Sequence, residues 1–221
     1  MKEHMILEDR CYKGMVTLTY GPSGSGKSLL SLLEGMAISS GKTELLNGQN
    51  IKKSKVLLVT SPGTLPDYIL NTRIDAVSRV YRTRHPKAMD ITDSWPSFPD
   101  ILKEQYDLVI VDDYEASSRD VEQLYTPELA PTYPIRQIVE KGMLDVFKQY
   151  ALEYEIAVMI NSASYVPGAQ IEFETIKVSS EISELHMRKN NFVFTWVMPK
   201  QVHKVCVSLS GRQEGCLALF R

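Results

Sequence analysis

The sequence predicts a single α/β domain in which a mostly parallel sheet is extended by antiparallel strands near the C-terminus. Short apolar runs of strand length alternate with segments of helical periodicity in the order β–α–β–α–β–α–β. The last thirty residues instead contain three β-rich segments separated by short turns. The 221 residues are 43% hydrophobic and 24% charged, the composition of an ordinary folded domain, so we treat 1–221 as one unit.

The first predicted unit is a strand, a glycine-rich loop and a helix. The strand covers 15–20, and a helix rich in apolar and small residues runs to about Ile38. The segment between them matches the phosphate-binding pattern GxxxxGK[ST], with the strand before it and the helix after it that this pattern requires. The predicted nucleotide-binding residues are Gly21, Pro22, Ser23, Gly24, Ser25, Gly26, Lys27 and Ser28.

These residue types suit the binding of a nucleotide polyphosphate. Glycines let backbone N–H groups turn inward around the β-phosphate oxygens. Lys27 would bridge the β and γ phosphates, and the Ser28 hydroxyl would ligate Mg²⁺. ATP and Mg²⁺ are therefore the expected cofactors, and a glycine-rich turn without a ligand is the alternative.

The second and third strands are separated by a long, interrupted segment. The second strand is predicted at 56–60, and the prolines of 62–66 break the pattern after it. A helix follows over 67–84, and the proline-rich 85–99 is expected to be irregular. The third strand is predicted at 108–112.

An acid ends this third strand. Asp112 follows four apolar residues, and a carboxylate there can hold a water of the Mg²⁺ shell, so Ser28 and Asp112 are the predicted metal-site residues. Many strands end in Asp for structural reasons, which leaves a turn or helix cap as the alternative. For Asp113 the cap is the preferred interpretation over polarising water, and no catalytic residue is assigned.

The remaining elements complete the predicted sheet. Three prolines exclude a continuous helix over 126–134, and an amphipathic helix is expected from 135 to about 152. The fourth strand is predicted at 156–160. Three segments form the predicted C-terminal meander, namely 191–198, 201–209 and 215–220.

Charge and composition exclude several classes of function. Lys and Arg number 25 against 27 Asp and Glu, so the overall field does not attract nucleic acid, and any such site is a local patch. No apolar run approaches the roughly 20 residues of a membrane span, and the N-terminus lacks a secretory signal, so we expect an intracellular protein, nuclear in a eukaryote. Cys11, Cys206 and Cys216 lack metal or redox spacing and are interpreted as buried or idle thiols.

From about Asp9 onward the chain resembles the RecA-type recombinases and their paralogues. The lead-in KGMVTL at 13–18 resembles the family's first strand, and PGTL at 62–65 resembles its EGTF element. The segment AVMINSA at 157–163 lies where the family carries VVITNQ, and the antiparallel C-terminal strands also fit. The resemblance implies a RecA-like ATP-binding core.

The departures from the family are as informative as the matches. The family's catalytic Glu corresponds to Pro62, which cannot activate water, and its γ-phosphate-sensing Gln corresponds to Ala163. We expect no N-terminal helical domain with a polymerisation element before the phosphate loop, because the chain begins almost at that loop. The resemblance therefore implies an accessory paralogue in homologous-recombination DNA repair with weak or no ATP hydrolysis. Such a subunit would promote or stabilise a recombinase filament in a hetero-oligomer with a recombinase or another paralogue, contacting DNA through the complex.

The two loops that contact DNA in the family correspond to 115–134 and 164–180, and neither carries a basic stripe here. A basic cluster lies elsewhere, and its members are Arg73, Arg79, Arg82, Arg84, His85 and Lys87. A solvated helix face is its preferred interpretation, with nucleic acid or an acidic partner as alternatives.

Two other functions remain open. A phosphate-loop kinase or active DNA-dependent ATPase would use Asp113 or Glu115 as its base and the basic cluster as a substrate clamp. In a purely structural role, bound nucleotide would stabilise the fold by mass action.

Overall fold

The structure is a computed structural model that describes residues 4–22, 27–46, 49–60, 71, 74–75, 88–92, 104–114, 142–174, 191–198, 201–208 and 218–220. In chain order its strands are β1 (Met5–Leu7), β2 (Cys11–Tyr12), β3 (Val16–Tyr20), β4 (Val56–Val59), β5 (Met89–Thr92), β6 (Leu108–Val111), β7 (Ala157–Ser162), β8 (Ile171–Glu174), β9 (Asn191–Met198), β10 (Gln201–Ser208) and β11 (Ala218–Phe220). The helices used below are α1 (Lys27–Ser40) and α2 (Met143–Tyr154), and a short 3₁₀ helix covers Thr43–Leu46.

Six strands form one sheet in the order β5-β4-β6-β7-β3-β8, and every pairing between neighbours is parallel. The four central strands, β4, β6, β7 and β3, are the four predicted from apolar runs, so that part of the fold prediction is confirmed. All residues of β4, β6 and β7 are buried, as expected when both faces of a parallel sheet are covered. The carboxyl ends of all six strands therefore meet at one edge, which we call the carboxyl edge.

The two outer strands of this sheet correct the sequence analysis. The segment predicted to be irregular, 85–99, contains β5, which pairs with β4. The segment matched to a DNA-contacting loop, 164–180, contains β8, which pairs with β3. Each of these strands has only four residues, some of them polar, and so short a pattern does not identify a strand in the sequence. Pairing with a buried neighbour, rather than intrinsic propensity, makes them strands.

The sheet divides the core into two apolar clusters. On one face α1 and the N-terminal hairpin β1–β2 pack on side chains such as Leu58, Ile110 and Met159. On the other face α2 packs through Phe147 on side chains such as Leu18. We call these the α1 face and the α2 face. They arise because successive strand residues point to opposite sides of the sheet.

Both helices were predicted. α1 extends two residues beyond the predicted end at about Ile38. α2 lies within the helix predicted from 135 to about 152 and ends at Tyr154, while 135–141 lies outside the described residues. Most of the predicted helix 67–84 and the proline-rich segments 62–66 and 126–134 also lie outside them.

The C-terminal strands are antiparallel, as predicted, in the order β11-β10-β9. They form a sheet of their own, so the prediction that they extend the parallel sheet is wrong for the described residues. Two residues connect β9 to β10, and so short a connection favours pairing between these two strands. In the part of the chain that is described, no helix is long and apolar enough to cross a membrane.

Candidate nucleotide-binding site

The phosphate loop begins where β3 reaches the carboxyl edge. The backbone N–H of Gly21 donates to the Ser162 carbonyl at 3.2 Å, which anchors the start of the loop beside β7. Gly21 has φ +153°, a conformation that side-chain-bearing residues rarely adopt, so glycine is required at this position. The described chain resumes at Lys27, and residues 23–26 of the predicted loop lie outside it.

The Lys27 side chain turns back toward the start of the loop. Its ammonium group donates to the carbonyl oxygens of Gly21 at 2.7 Å and Pro22 at 3.1 Å. Ser28 follows it on the first turn of α1, and both side chains are partly exposed. A helix N-terminus directs unpaired N–H groups and a positive dipole end toward an anion. The described residues of the loop therefore present the groups expected to contact a polyphosphate.

Asp112 lies at the same edge, just beyond the end of β6. The strand β7 separates it from β3, which corresponds to about 10 Å at 4.8 Å per strand. Its backbone N–H donates to the Val59 carbonyl at 2.9 Å, and its side chain is only 8% exposed. The Asn161 amide donates to Asp112 Oδ1 at 2.7 Å. The predicted metal carboxylate is therefore held in one orientation.

The same amide connects Asp112 to the phosphate-loop helix. Asn161 Nδ2 also donates to Ser31 Oγ at 2.8 Å. Ser31 is three residues after Ser28 and therefore lies on the same side of α1. The Asn161 amide thus bridges Asp112 and the side of α1 that carries Ser28.

These groups belong to a polar row across the carboxyl edge, formed by Thr19, Asn161, Asp112 and Thr60. Thr19 pairs with Asn161, and extending the β6 pairings by one residue places Asp112 beside Asn161 and Thr60. All four residues are buried. Because strand residues alternate, each lies on the α1 face, directly above the apolar cluster.

A buried ion pair supports the helix below this row. The Arg10 guanidinium donates to Glu34 of α1 through Nε and, at 3.2 Å, through Nη2, and Nη2 also donates to Thr19 Oγ1 at 2.9 Å. Both charged residues are at most 1% exposed. Burial raises the pKa of Glu34, and Arg10 opposes that rise. Arg10 thus joins the N-terminal hairpin to both α1 and β3.

Cys11 follows Arg10 and is buried as a free thiol. Burial raises the pKa of this thiol, and the nearby Glu34 carboxylate raises it further. The thiol is therefore protonated near neutral pH. The structure does not describe the side chains of Cys206 and Cys216.

The oxygen donors at this edge fit Mg²⁺. Ser28 offers a hydroxyl and Asp112 a carboxylate, both hard oxygen ligands, and Mg²⁺ in nucleotide sites takes one or two protein ligands together with phosphates and waters. Within the described ranges no group of three or more His, Cys, Asp or Glu side chains could hold a metal ion. Ser28 and Asp112 would therefore hold Mg²⁺ together with the nucleotide.

Several predicted residues cannot be placed. Pro62, Glu115 and the basic cluster Arg73, Arg79, Arg82, Arg84, His85 and Lys87 lie outside the described residues. Asp113 is partly exposed beside Asp112, and Ala163 directly follows β7. The roles given to these residues stay predictions.

Sequence reasoning missed the parts of the site that depend on distant contacts. Asn161, Ser31, Arg10 and Glu34 were not assigned roles. Two signals existed, since Glu34 is a lone acid in an apolar helix and Asn161 interrupts an apolar strand. Both are patterns typical of buried polar groups that have partners.

An aromatic pair lies beside the loop on the α2 face. The rings of Tyr20 and Tyr165 meet edge to face with centroids 5.2 Å apart. The Tyr165 hydroxyl donates to Glu172 of β8 at 3.0 Å, and half of Tyr165 is exposed. This pair packs the chain that leaves β7 against the strand that enters the phosphate loop.

No protein-family model matches the chain, and no curated protein matches it. The chemistry of the site is therefore derived from its own residues. A lysine and a helix N-terminus that suit phosphates, and a buried carboxylate and a hydroxyl that suit Mg²⁺, lie along one edge of the sheet.

Proposed function

We propose that this protein binds magnesium-ATP at the carboxyl edge, through residues 21–28 and Asp112. One observation carries the proposal: the Asn161 amide joins Asp112, 2.7 Å away, to the helix that follows the phosphate loop. A glycine-rich turn with only a structural role has no need for a buried carboxylate held against that helix. The proposal combines this link with Lys27, whose ammonium group lies 2.7 Å from the Gly21 carbonyl oxygen at the start of the loop.

The wider proposal is a RecA-like recombinase paralogue that acts as an accessory subunit in homologous-recombination repair. Its support is the order of the segments that resemble the family, together with a parallel core followed in sequence by antiparallel strands. Its partners would be a recombinase or a second paralogue, with DNA contacted through the assembly. The protein would then act inside the cell, in the nucleus of a eukaryote.

Slow hydrolysis is part of this proposal, because Pro62 takes the place of the activating carboxylate. A positioned general base contributes about 10²–10⁴-fold to a rate, so ATP should be bound but turned over slowly. Asp113 is partly exposed beside Asp112 and is the described residue best placed to act as a base in the alternative, an active ATPase or kinase. Single-turnover hydrolysis faster than about 1 s⁻¹, with or without DNA, would favour that alternative.

The nucleotide site is tested by Lys27→Ala in titrations with a fluorescent ATP analogue. Losing a charge-assisted contact to the phosphates should weaken binding at least about tenfold. Lys148→Ala is the matched control, because Lys148 is a partly buried lysine on α2 whose ammonium contacts Asp145 at 3.1 Å. Equal affinities of the wild type and Lys27→Ala would refute the site.

The accessory role is tested by sedimentation with candidate recombinases in ATP and in ADP. If nucleotide and partner share an interface, ATP should strengthen the association by roughly 5–150-fold relative to ADP. A protein that stays monomeric with every recombinase tested, in ATP and in ADP, would refute the accessory role without bearing on the nucleotide site.

A further inference from the structure

Asn161 makes two buried contacts from one atom. Its side chain is 2% exposed, and Nδ2 lies 2.7 Å from Asp112 Oδ1 and 2.8 Å from Ser31 Oγ. A carboxylate only accepts hydrogen bonds, so the nitrogen of the amide, not its oxygen, must face Asp112. The amide nitrogen carries two hydrogens, and these two contacts use both. The geometry therefore sets the orientation of the whole side chain.

We infer that Asn161 is a positioning residue for magnesium, which holds the Asp112 carboxylate in register with the phosphate-loop helix. This inference rests on the proposed nucleotide site and adds to it a residue that touches neither the metal nor the nucleotide. The three residues come from three distant parts of the chain, since Asn161 is 49 residues from Asp112 and 130 from Ser31. The amide would therefore orient the Asp112 carboxylate relative to the side of α1 that carries Ser28, one turn before Ser31.

The energetic reason lies in the burial of the carboxylate. Asp112 is 8% exposed, so few waters can replace a lost hydrogen bond to its charge. Hydrogen bonds to charged groups are the strong ones, and a low local dielectric strengthens them further. Without the amide, Asp112 loses a contact that selects one orientation of its carboxyl group. Residues that orient metal ligands in this way typically change metal affinity by roughly 10–100-fold when they are removed.

The chemistry of the contact explains why an amide suits this position. A carboxylate in place of Asn161 would set two acceptors 2.7 Å apart, and the like charges would repel. A hydroxyl has only one hydrogen and cannot donate to Ser31 and Asp112 at once. Asn161→Asp should therefore disturb magnesium binding at least as strongly as Asn161→Ala.

The test is the gain in nucleotide affinity that magnesium provides. A fluorescent ATP analogue is titrated into the full chain with saturating Mg²⁺ and again in excess EDTA, and the ratio of the two dissociation constants is the magnesium gain. The variants are Asn161→Ala and Asn161→Val, neither of which can donate to Asp112, and valine suits a strand if alanine does not keep the fold. The matched control is Thr17→Val, which removes another buried hydrogen bond of this sheet, from Thr17 Oγ1 to the Arg10 carbonyl at 2.6 Å.

We expect both Asn161 variants to lose about tenfold or more of the magnesium gain while their affinity in EDTA stays near that of the wild type. Thr17→Val should lose stability in urea without losing the gain, which separates positioning from general destabilisation. A wild type with a clear gain and a folded Asn161 variant with the same gain would overturn the inference alone. A wild type that binds no nucleotide would overturn the proposed function as well.

Discussion

The two faces of the parallel sheet use the same strands for different purposes. The α1 face buries charged and polar groups, including the Arg10–Glu34 pair and the row from Thr19 to Asp112. The α2 face is apolar down to its edge, where the aromatic pair Tyr20–Tyr165 lies. The proposed phosphate loop leads directly into α1, so residues that would align this loop with Asp112 lie on that face. The difference shows that a buried polar row can lie at the edge of one face, above the apolar cluster of that same face, while the other face packs mainly apolar side chains.

The α2 face also carries an irregular connection between two strands of the sheet. On the α2 face an irregular segment, 163–170, returns from the end of β7 to the start of β8 and packs Val166 and Ala169 on the apolar cluster. An ion pair on this face, Lys148–Asp145, is solvent-accessible and so contributes little to stability. The ion pair of the α1 face is buried, where the loss of one partner is costly.

The largest expected effect comes from breaking the buried pair on the α1 face. Arg10→Met leaves the Glu34 carboxylate buried without its cation and should lower the free energy of unfolding by about 3–5 kcal/mol, measured by urea denaturation. The double variant Arg10→Met/Glu34→Leu removes both charges and should recover most of that loss. A single variant as stable as the wild type would show that the pair does not hold the hairpin to α1.

The free energy of unfolding of Arg10→Met should also depend on pH, because Glu34 is then buried without its cation. Burial raises the pKa of Glu34 and Arg10 opposes that rise, so the variant should carry a still more raised pKa. In the unfolded chain a Glu ionises near about pH 4.3. Between that pH and the raised pKa the folded state holds the extra proton, so stability falls as pH rises, by up to about 1.4 kcal/mol per pH unit.

This slope is measured by urea unfolding at several pH values, with Arg10→Met/Glu34→Leu as the control that lacks the carboxyl. Stability of Arg10→Met that rises with pH relative to this control would contradict the assignment.

A smaller effect is expected on the α2 face, at Gly168 in the irregular segment. Its φ is +105°, and a methyl group there would meet Lys148 Nζ at 3.1 Å. Gly168→Ala should therefore cost about 1–3 kcal/mol in urea unfolding. Gly35→Ala in α1 is the comparison on the other face, because the atoms nearest its new methyl would be the flexible ends of Met89 and Ile110, the closest at 3.0 Å.

Replacing a helical glycine gains up to roughly 1 kcal/mol, which offsets that close contact at Gly35, so its net change should be less than about 1 kcal/mol. A greater loss at Gly35 than at Gly168 would show that packing on the α1 face is the less tolerant of the two.

The sequence by itself determined the features that local patterns encode. The phosphate loop, the strand before it and the helix after it need only residues within about 25 positions, and the structure has β3 and α1 where they were predicted. The buried central strands were predicted from apolar runs. The prediction that Asp112 is a metal-site residue was made from its place directly after one of these strands. Such features are readable because hydrophobic periodicity and turn chemistry act over short stretches of chain.

Only the tertiary structure decided the features that depend on distant partners. β5 and β8 are strands because buried neighbours complete their hydrogen bonds, not because their own four residues require it. Asn161 contacts both Asp112 and Ser31 because parallel pairing brings it beside Asp112 and because α1 packs against this face of the sheet. Arg10 and Glu34 are readable as polar residues in apolar surroundings, but the ion pair exists only once the hairpin packs on α1. Burying an unpaired charge costs much free energy. Arg10 and Glu34 can therefore be buried only where the packing of the hairpin on α1 brings them together.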